Sequence, residues 1–371
     1  MANYVTRRRI LAQTLGIGLA SLLKVPAART DSWPKVDATF LFAADVHTCR
    51  MGDGLSPHCQ AEGKTDENLR RHIAALNEVG ELAWPREIGG VATGLAGVGQ
   101  RIGRSLGLVI GGDMTDDGGG QAMTPREGTQ LLQFSQRYQQ GAGPDQVHVP
   151  VYVGLGNHDL DQDGPPEHVD RYRHEMRDYV ELNHRPGVFF KPLVPVANYD
   201  ALSDSYSWDW GGLHLVQAHR FAGDMTKGAI SALPWLEADL KTKASDGRPV
   251  ILFQHYGWDP FSTERWDPAA HKFDATGSGK PHWWSDDERR ALSAAIDGYN
   301  VLGIFHGHQH DTPMIYRAAG LDLFKPKAAF MGGFAVVHIT DDFMDVALAE
   351  ATPNAGIAFT NAFSKRLDSA R

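Results

Sequence analysis

The strongest constraint on this chain is a pattern that recurs five times: a short apolar run ending in a cluster of Asp, Asn or His. The runs cover 38–44, 106–110, 149–153, 250–253 and 301–305. The clusters that follow are Asp45-Val46-His47, Gly112-Asp113, Gly156-Asn157-His158-Asp159, Gln254-His255 and His306-Gly307-His308-Gln309-His310. Short apolar runs bounded by glycine and polar residues read as buried strands. In open α/β sheets the loops beyond the carboxyl ends of the strands converge on the ligand site. Five clusters far apart in the chain are therefore expected to meet in one place.

Between these strands the periodicity changes. Apolar residues at helical spacing predict helices over 65–79, 125–140, 233–240 and 285–296, with Thr65 and Ser285 as N-caps. Two apolar runs, 205–210 and 213–218, flank Gly211-Gly212 and read as a hairpin. Further strand-like runs lie at 328–331, 335–340 and 343–349, while 88–107 is glycine-rich and has no clear period. No repeat or low-complexity tract divides the chain. The expectation is a signal segment over 1–27, then a single domain over 28–371 with insertions near 49–64, 84–107 and 256–284.

The first 27 residues carry Arg7, Arg8, Arg9 and Lys24 and no acid. An apolar stretch over 15–23 and the small residues around Val25-Pro26-Ala27 follow, which is the layout of a signal peptide. Thr6-Arg7-Arg8-Arg9-Ile10-Leu11 resembles a twin-arginine export signal, which implies a periplasmic or secreted protein. An uncleaved anchor or an amphipathic helix is the alternative. Those four positive residues are part of a whole-chain charge of −9, so the remainder carries −13. A body that acidic repels polyanions, which argues against nucleic acid as a partner. No other stretch approaches a stable membrane span. The two cysteines, Cys49 and Cys59, either pair in an oxidising compartment or stay as thiols, and with no second pair they are not a zinc site by themselves.

Taken together, the five clusters resemble the signature of the calcineurin-like metallophosphoesterases: Asp-x-His, Gly-Asp, Gly-Asn-His-Asp/Glu, His and Gly-His-x-His. Each piece is weak alone, but the ordered set spans 39–310. The resemblance implies an α/β fold, a two-sheet sandwich flanked by helices in four α/β/β/α layers. It also implies two divalent or trivalent metal ions, of which Fe, Mn, Zn and Co all suit nitrogen and oxygen ligands. Residue by residue, Asp45, His47 and His310 would hold one ion, Asn157, His255 and His308 the other, and Asp113 would bridge them. His158 matches the family's proton-donating histidine, and Asp116 the position that often orients it.

On that reading the favoured reaction is phosphomonoester hydrolysis by a metal-activated water outside the cytoplasm. Phosphodiester hydrolysis and a non-catalytic metal- or phosphate-binding role are the alternatives. Met114-Thr115-Asp116 follows Gly-Asp where purple acid phosphatases place a tyrosine, which disfavours iron-tyrosinate chemistry. His306 reads as structural, His214 and His219 as non-ligands, Asp159 as a helix cap, and Asp117 with Gly118-Gly119-Gly120 as a turn. The segment with Cys49, Cys59 and Lys64 is a candidate pocket wall. A second candidate wall, 256–284, carries Trp258, Arg265, Trp266, Lys272, Lys280, Trp283 and Trp284. It is either a surface loop or a lid suited to a small phosphorylated partner such as a polyphosphorylated compound or a lipid head group.

Overall fold

Phe40 and Phe42, two residues apart on one strand, point to the same side, because side chains alternate along a strand. Both rings meet Phe253 and Phe305, at centroid distances between 5.4 and 5.9 Å. That aromatic layer joins two sheets. The protein is seen here in a computed structural model, which describes residues 34–51, 54–55, 57–116, 130–160, 176–187, 191–258, 266–267, 272–273, 284–354 and 356–367. The expected signal segment lies outside these residues.

Among the described residues, one sheet has six strands in the order Ile357–Arg366, Phe343–Ala351, Gly333–Thr340, Asp37–Ala43, Leu108–Ile110, Val151–Tyr152. The other has seven, in the order Met314–Ala318, Leu321–Lys325, Val301–Phe305, Val250–Phe253, Leu213–Gln217, Tyr206–Trp210, Asn198–Tyr199. The three strands of the first sheet that end in a polar cluster run parallel to one another, as do the two such strands of the second. Their carboxyl ends therefore open on one edge of the sandwich. Helices cover the outer faces: Asp66–Glu78 buries Leu69, Ile73 and Leu76 against the first sheet, and Leu233–Lys243 and Asp286–Ile296 bury Leu236, Leu240 and Leu292 against the second. The result is the mixed α/β, four-layer arrangement.

Local chemistry sets the helix ends. Thr65 accepts a hydrogen bond from Asn68 N at 3.2 Å. Ser285 and Glu288 form a reciprocal capping box, each side chain accepting from the other residue's N–H. The second predicted helix, 125–140, is described as Gln130–Tyr138, and 125–129 lie outside the described residues. The tight antiparallel hairpin at Gly211-Gly212 is present, with Gly211 at φ 61°.

One run departs from its reading. The apolar stretch 328–331, expected as a strand, holds a 3-10 turn, Ala329–Met331. Ala329 N donates to the Ala44 carbonyl at 2.9 Å and Phe330 N to the Asp45 carbonyl at 3.3 Å, so the turn packs beneath the first cluster. Gly332 at φ 97° ends it and lets the strand start at Gly333. The glycine-rich insertion contains a two-residue hairpin, Glu87–Ile88 with Val91–Ala92.

Candidate metal centre

The first two polar loops are zipped together by their backbones. Asp45 N donates to Gly112 O, His47 N to Asp113 O and Thr48 N to Met114 O, each at 3.0 Å. The parallel pairing of the strands thus continues past their ends. Turning the loops inward costs backbone strain: Asp45, His47, Asp113 and His308 take φ of 58°, 46°, 52° and 78°. Left-handed conformations at non-glycine residues cost about 1–3 kcal/mol each and gather at functional sites. The glycines of the clusters are steric requirements. A Cβ on Gly156 would collide with Asp113 Oδ1, and one on Gly307 would lie 2.5 Å from Asp45 Oδ2.

The structure brings all seven predicted ligand side chains together. Asp45, His47, Asp113 and His310 offer donor atoms that lie within 4.8 Å of one another, and so do Asp113, His255 and His308. Asn157 joins the second group, its Oδ1 3.1 Å from His255 Nε2. Asp113 belongs to both groups, which is what a ligand shared by two ions requires. Asp45 is fixed from behind, because His308 N donates to both its oxygens at 3.0 Å. His158 N donates to Asp113 Oδ1 at 2.8 Å.

The donor chemistry fits a pair of cations. His255 Nδ1 donates to the Gly111 carbonyl at 2.9 Å and His47 Nδ1 to Asp116 Oδ1 at 3.2 Å. Both acceptors can only accept, so each neutral ring turns an Nε2 lone pair into the centre. There His255 Nε2 lies 3.0 Å and His47 Nε2 3.6 Å from Asp113 Oδ2, a buried oxygen without an aligned hydrogen bond. His47 Nε2 also stands 3.1 Å from His310 Nε2. Lone pairs converging on a buried carboxylate repel unless a proton or a metal ion lies between them. Burial works against a charged His255, yet the charge of Asp113 lifts it to about 9. His47, where burial dominates over the Asp116 hydrogen bond, falls to about 4. Asp113 is held well below the usual carboxylate range: burial opposes this, and His255 and His158 outweigh it.

His158 stands at the mouth with Asn157 and His310, all half-buried where the other ligands are buried. The expected partnership with Asp116 takes a different form. His158 Nδ1 donates to the Asp116 backbone carbonyl, while the Asp116 carboxylate is engaged by His47 and Lys64. The left-over face of the carboxylate points at the Cys49–Cys59 disulfide, with Oδ2 3.3 and 3.5 Å from the two sulfurs. The sulfurs being bonded to each other, and Lys64 being a cation already in place, this cluster has no role for an added ion. Burial lowers the His158 pKa, and the Asp113 charge with the Asp116 carbonyl raises it by more.

Asp159, expected as a helix cap, accepts from Gly156 N at the start of the short helix Asn157–Leu160 and also bridges loops. Its carboxylate accepts from Gly156 N, Met114 N, Thr115 N and the Thr115 hydroxyl. Four backbone and hydroxyl donors converge there because the two loops end side by side. His219 donates to the Asp204 carbonyl and accepts from Leu155 N, and His214 lies between Asp209 and Asp239, so neither belongs to the donor groups. His306 bonds Tyr316, whose hydroxyl accepts from Trp258 N at 2.9 Å. Buried Lys325 supports the centre without a sequence signal of its own. Its Nζ donates to the Gln309 carbonyl at 2.7 Å, to Gln309 Oε1 and to the Thr312 carbonyl, fixing the loop that carries His308 and His310. A lysine ending a strand gave no signal for that. Asp117, Gly118, Gly119, Gly120, Arg265, Lys280 and Trp283 lie outside the described residues, and the side chains of Trp266 and Lys272 are not described.

Residues 38–312 match the Metallophos family, the calcineurin-like phosphoesterases. The chain belongs to that family, whose members are metal-dependent phosphoesterases. Among solved structures it is similar to PhoD, at 11% identity over 91% of this chain and 72% of that one, TM-score 0.51. It is also similar to the purple acid phosphatase PPD1 from yellow lupin seeds, at 13% identity over 90% of this chain and 55% of that one, TM-score 0.50. A dimetal phosphatase from Danio rerio matches at 14% identity over 89% of this chain and 98% of that one, TM-score 0.49. At such identities the first two likenesses bear on the fold alone. No curated protein matches the chain.

Proposed function

We propose that the chain hydrolyses small phosphomonoesters with two metal ions, one held by Asp45, His47 and His310, the other by Asn157, His255 and His308, with Asp113 shared. The observation that carries this is the membership of Asp113 in both donor groups, with imidazole lone pairs aimed at its oxygen. Two bound ions supply a clamp for the phosphate oxygens and a water of lowered pKa. The protein's own residues do the rest. Asp113 offsets the repulsion between the positive charges. His158, tied through Nδ1 to the Asp116 carbonyl, presents Nε2 at the open side and donates a proton to the departing alkoxide. Phe330, set edge-on to His47 and His310 at 5.6 and 5.3 Å, walls off one side from water.

A monoester dianion carries charge for both ions, and an acidic body disfavours polyanionic diesters such as nucleic acid. Metal analysis with a comparison of p-nitrophenyl phosphate and bis-p-nitrophenyl phosphate tests the reading. About two ions per chain and faster cleavage of the monoester are expected. Preference for the diester replaces it with a phosphodiesterase, and metal binding without hydrolysis of either leaves a binding protein. Export rests on Thr6-Arg7-Arg8-Arg9-Ile10-Leu11. Replacing Arg7 and Arg8 by lysine should trap the full-length chain in the cytoplasm on cell fractionation. Unaltered export would remove the twin-arginine reading. Among the described residues, no helix is long and apolar enough to cross a membrane.

A further inference from the structure

We propose that Lys64 is a positioning residue for the centre, acting through Asp116 on His47 and His158. Lys64 is 5% exposed, and its Nζ donates to Asp116 Oδ1 at 2.6 Å. The same oxygen accepts from His47 Nδ1. The Asp116 carbonyl accepts from His158 Nδ1, and its N–H is fixed by Gln130 Oε1 at 2.9 Å. One residue therefore sets the ring of a metal ligand with its side chain and the ring of the proton donor with its backbone. Lys64 decides where that side chain points. A carboxylate behind a ligating histidine orients the ring and raises its basicity, and losing such a partner usually weakens metal affinity.

The lysine is itself built in. Its N–H donates to the Cys59 carbonyl at 2.9 Å, and Cys59 is joined to Cys49, two residues beyond His47. Its ammonium lies 5.6 Å from the centre of the Phe330 ring and pairs at 2.6 Å with Glu62, an exposed residue. These contacts hold it under the Asp116 carboxylate and away from the mouth, so the expected role of Lys64 in a substrate-facing wall is replaced by one behind the ligands.

The inference rests on the binuclear reading above, and the test separates the two. Metal-free wild type, Lys64→Met, Lys64→Arg and Glu62→Gln would be titrated with Mn²⁺ by calorimetry, assayed on p-nitrophenyl phosphate and melted by circular dichroism. Lys64→Met should weaken one of the two ions by about 10–100-fold and lower kcat by about 10-fold or more, with KM little changed. Lys64→Arg should restore most of both, and Glu62→Gln should match wild type. Unchanged ion affinities and kcat in Lys64→Met overturn the proposal, as does Glu62→Gln losing as much. A raised KM at unchanged kcat assigns Lys64 to substrate instead and also overturns it. Should Lys64→Met not fold, Asp116→Asn keeps an acceptor but removes the charge that Lys64 pairs with, and wild-type behaviour there is equally fatal. Wild type that binds no ion overturns both this and the binuclear reading.

Discussion

Thr115 donates twice to Asp159 Oδ1, from its backbone N–H at 3.1 Å and its hydroxyl at 2.9 Å. This pair ties the loop of Asp113 to the loop of Asn157, and so sets the spacing between the two donor groups. Asp159 is buried, and burial with the nearby charge of Asp113 raises its pKa to about 6. Asp159→Ala would leave several buried donors unsatisfied, at about 1–3 kcal/mol each. The expected result is a loss of about 3–5 kcal/mol in urea unfolding, together with loss of one ion by metal analysis. A variant of wild-type stability with both ions retained would show that other contacts set the spacing.

His158 N donates to Asp113 Oδ1, and its ring stands edge-on to the His47 ring at a centroid distance of 4.6 Å. Its ring is outside the seven ligands. His158→Ala should therefore lower kcat by about 10²–10⁴-fold, the usual weight of a general acid. Metal content should not change. Parallel loss of metal would make the ring a structural support rather than a proton donor.

The legible part of this protein is the part written in local pattern. Strands 250–253 and 301–305 have the predicted bounds, since apolar runs between polar neighbours are local signals. The gathering of the clusters followed from where the strands end. What stayed hidden depends on contacts across long stretches of chain. Lys64 and Asp116 are 52 residues apart, and Asp159 reaches back 44 to Thr115. The direction of the Asp116 side chain is hidden for the same reason: spacing places a residue near a histidine but does not say which of two histidines its carboxylate meets. The strand Ile357–Arg366 escaped because it lies at the sheet edge, half-buried, without a clean alternation.

Removal of metal should soften the whole sandwich edge. Asp45, Asp113, His47 and His255 are buried in a strained loop set, and ion binding to the folded state alone adds RT ln(1 + [L]/Kd) to stability. At free metal 100-fold above Kd that amounts to about 2.7 kcal/mol per ion. Chelation is thus expected to abolish hydrolysis and lower Tm, and Mn²⁺ or Zn²⁺ should restore both. An identical melting curve with and without chelator would argue that no ion binds the folded form tightly.

A second histidine couples pH to stability away from the centre. His214, buried under the helix Leu233–Lys243, is bonded to Asp209 Oδ1 at 2.7 Å through Nδ1 and to Asp239 Oδ2 at 2.8 Å through Nε2. Arg248 stands 3.7 Å from the other oxygen of Asp209, and Asp239 also accepts from Ser207 and Asn198. Burial lowers the His214 pKa, but the two carboxylates outweigh it and raise it above the ordinary value. A group whose pKa is raised on folding contributes most below its unfolded pKa, about 6.5 for histidine. That contribution fades as pH climbs through the folded value. Wild type should therefore exceed His214→Gln in stability by the widest margin near pH 6, with the gap narrowing toward pH 9. Each tenfold gain in proton affinity on folding adds about 1.4 kcal/mol to that margin. Urea unfolding of both proteins across that range reads the gap directly. A constant difference at all pH values would mean that folding leaves the proton affinity of His214 unchanged and that the two acids act on it only as hydrogen-bonding partners.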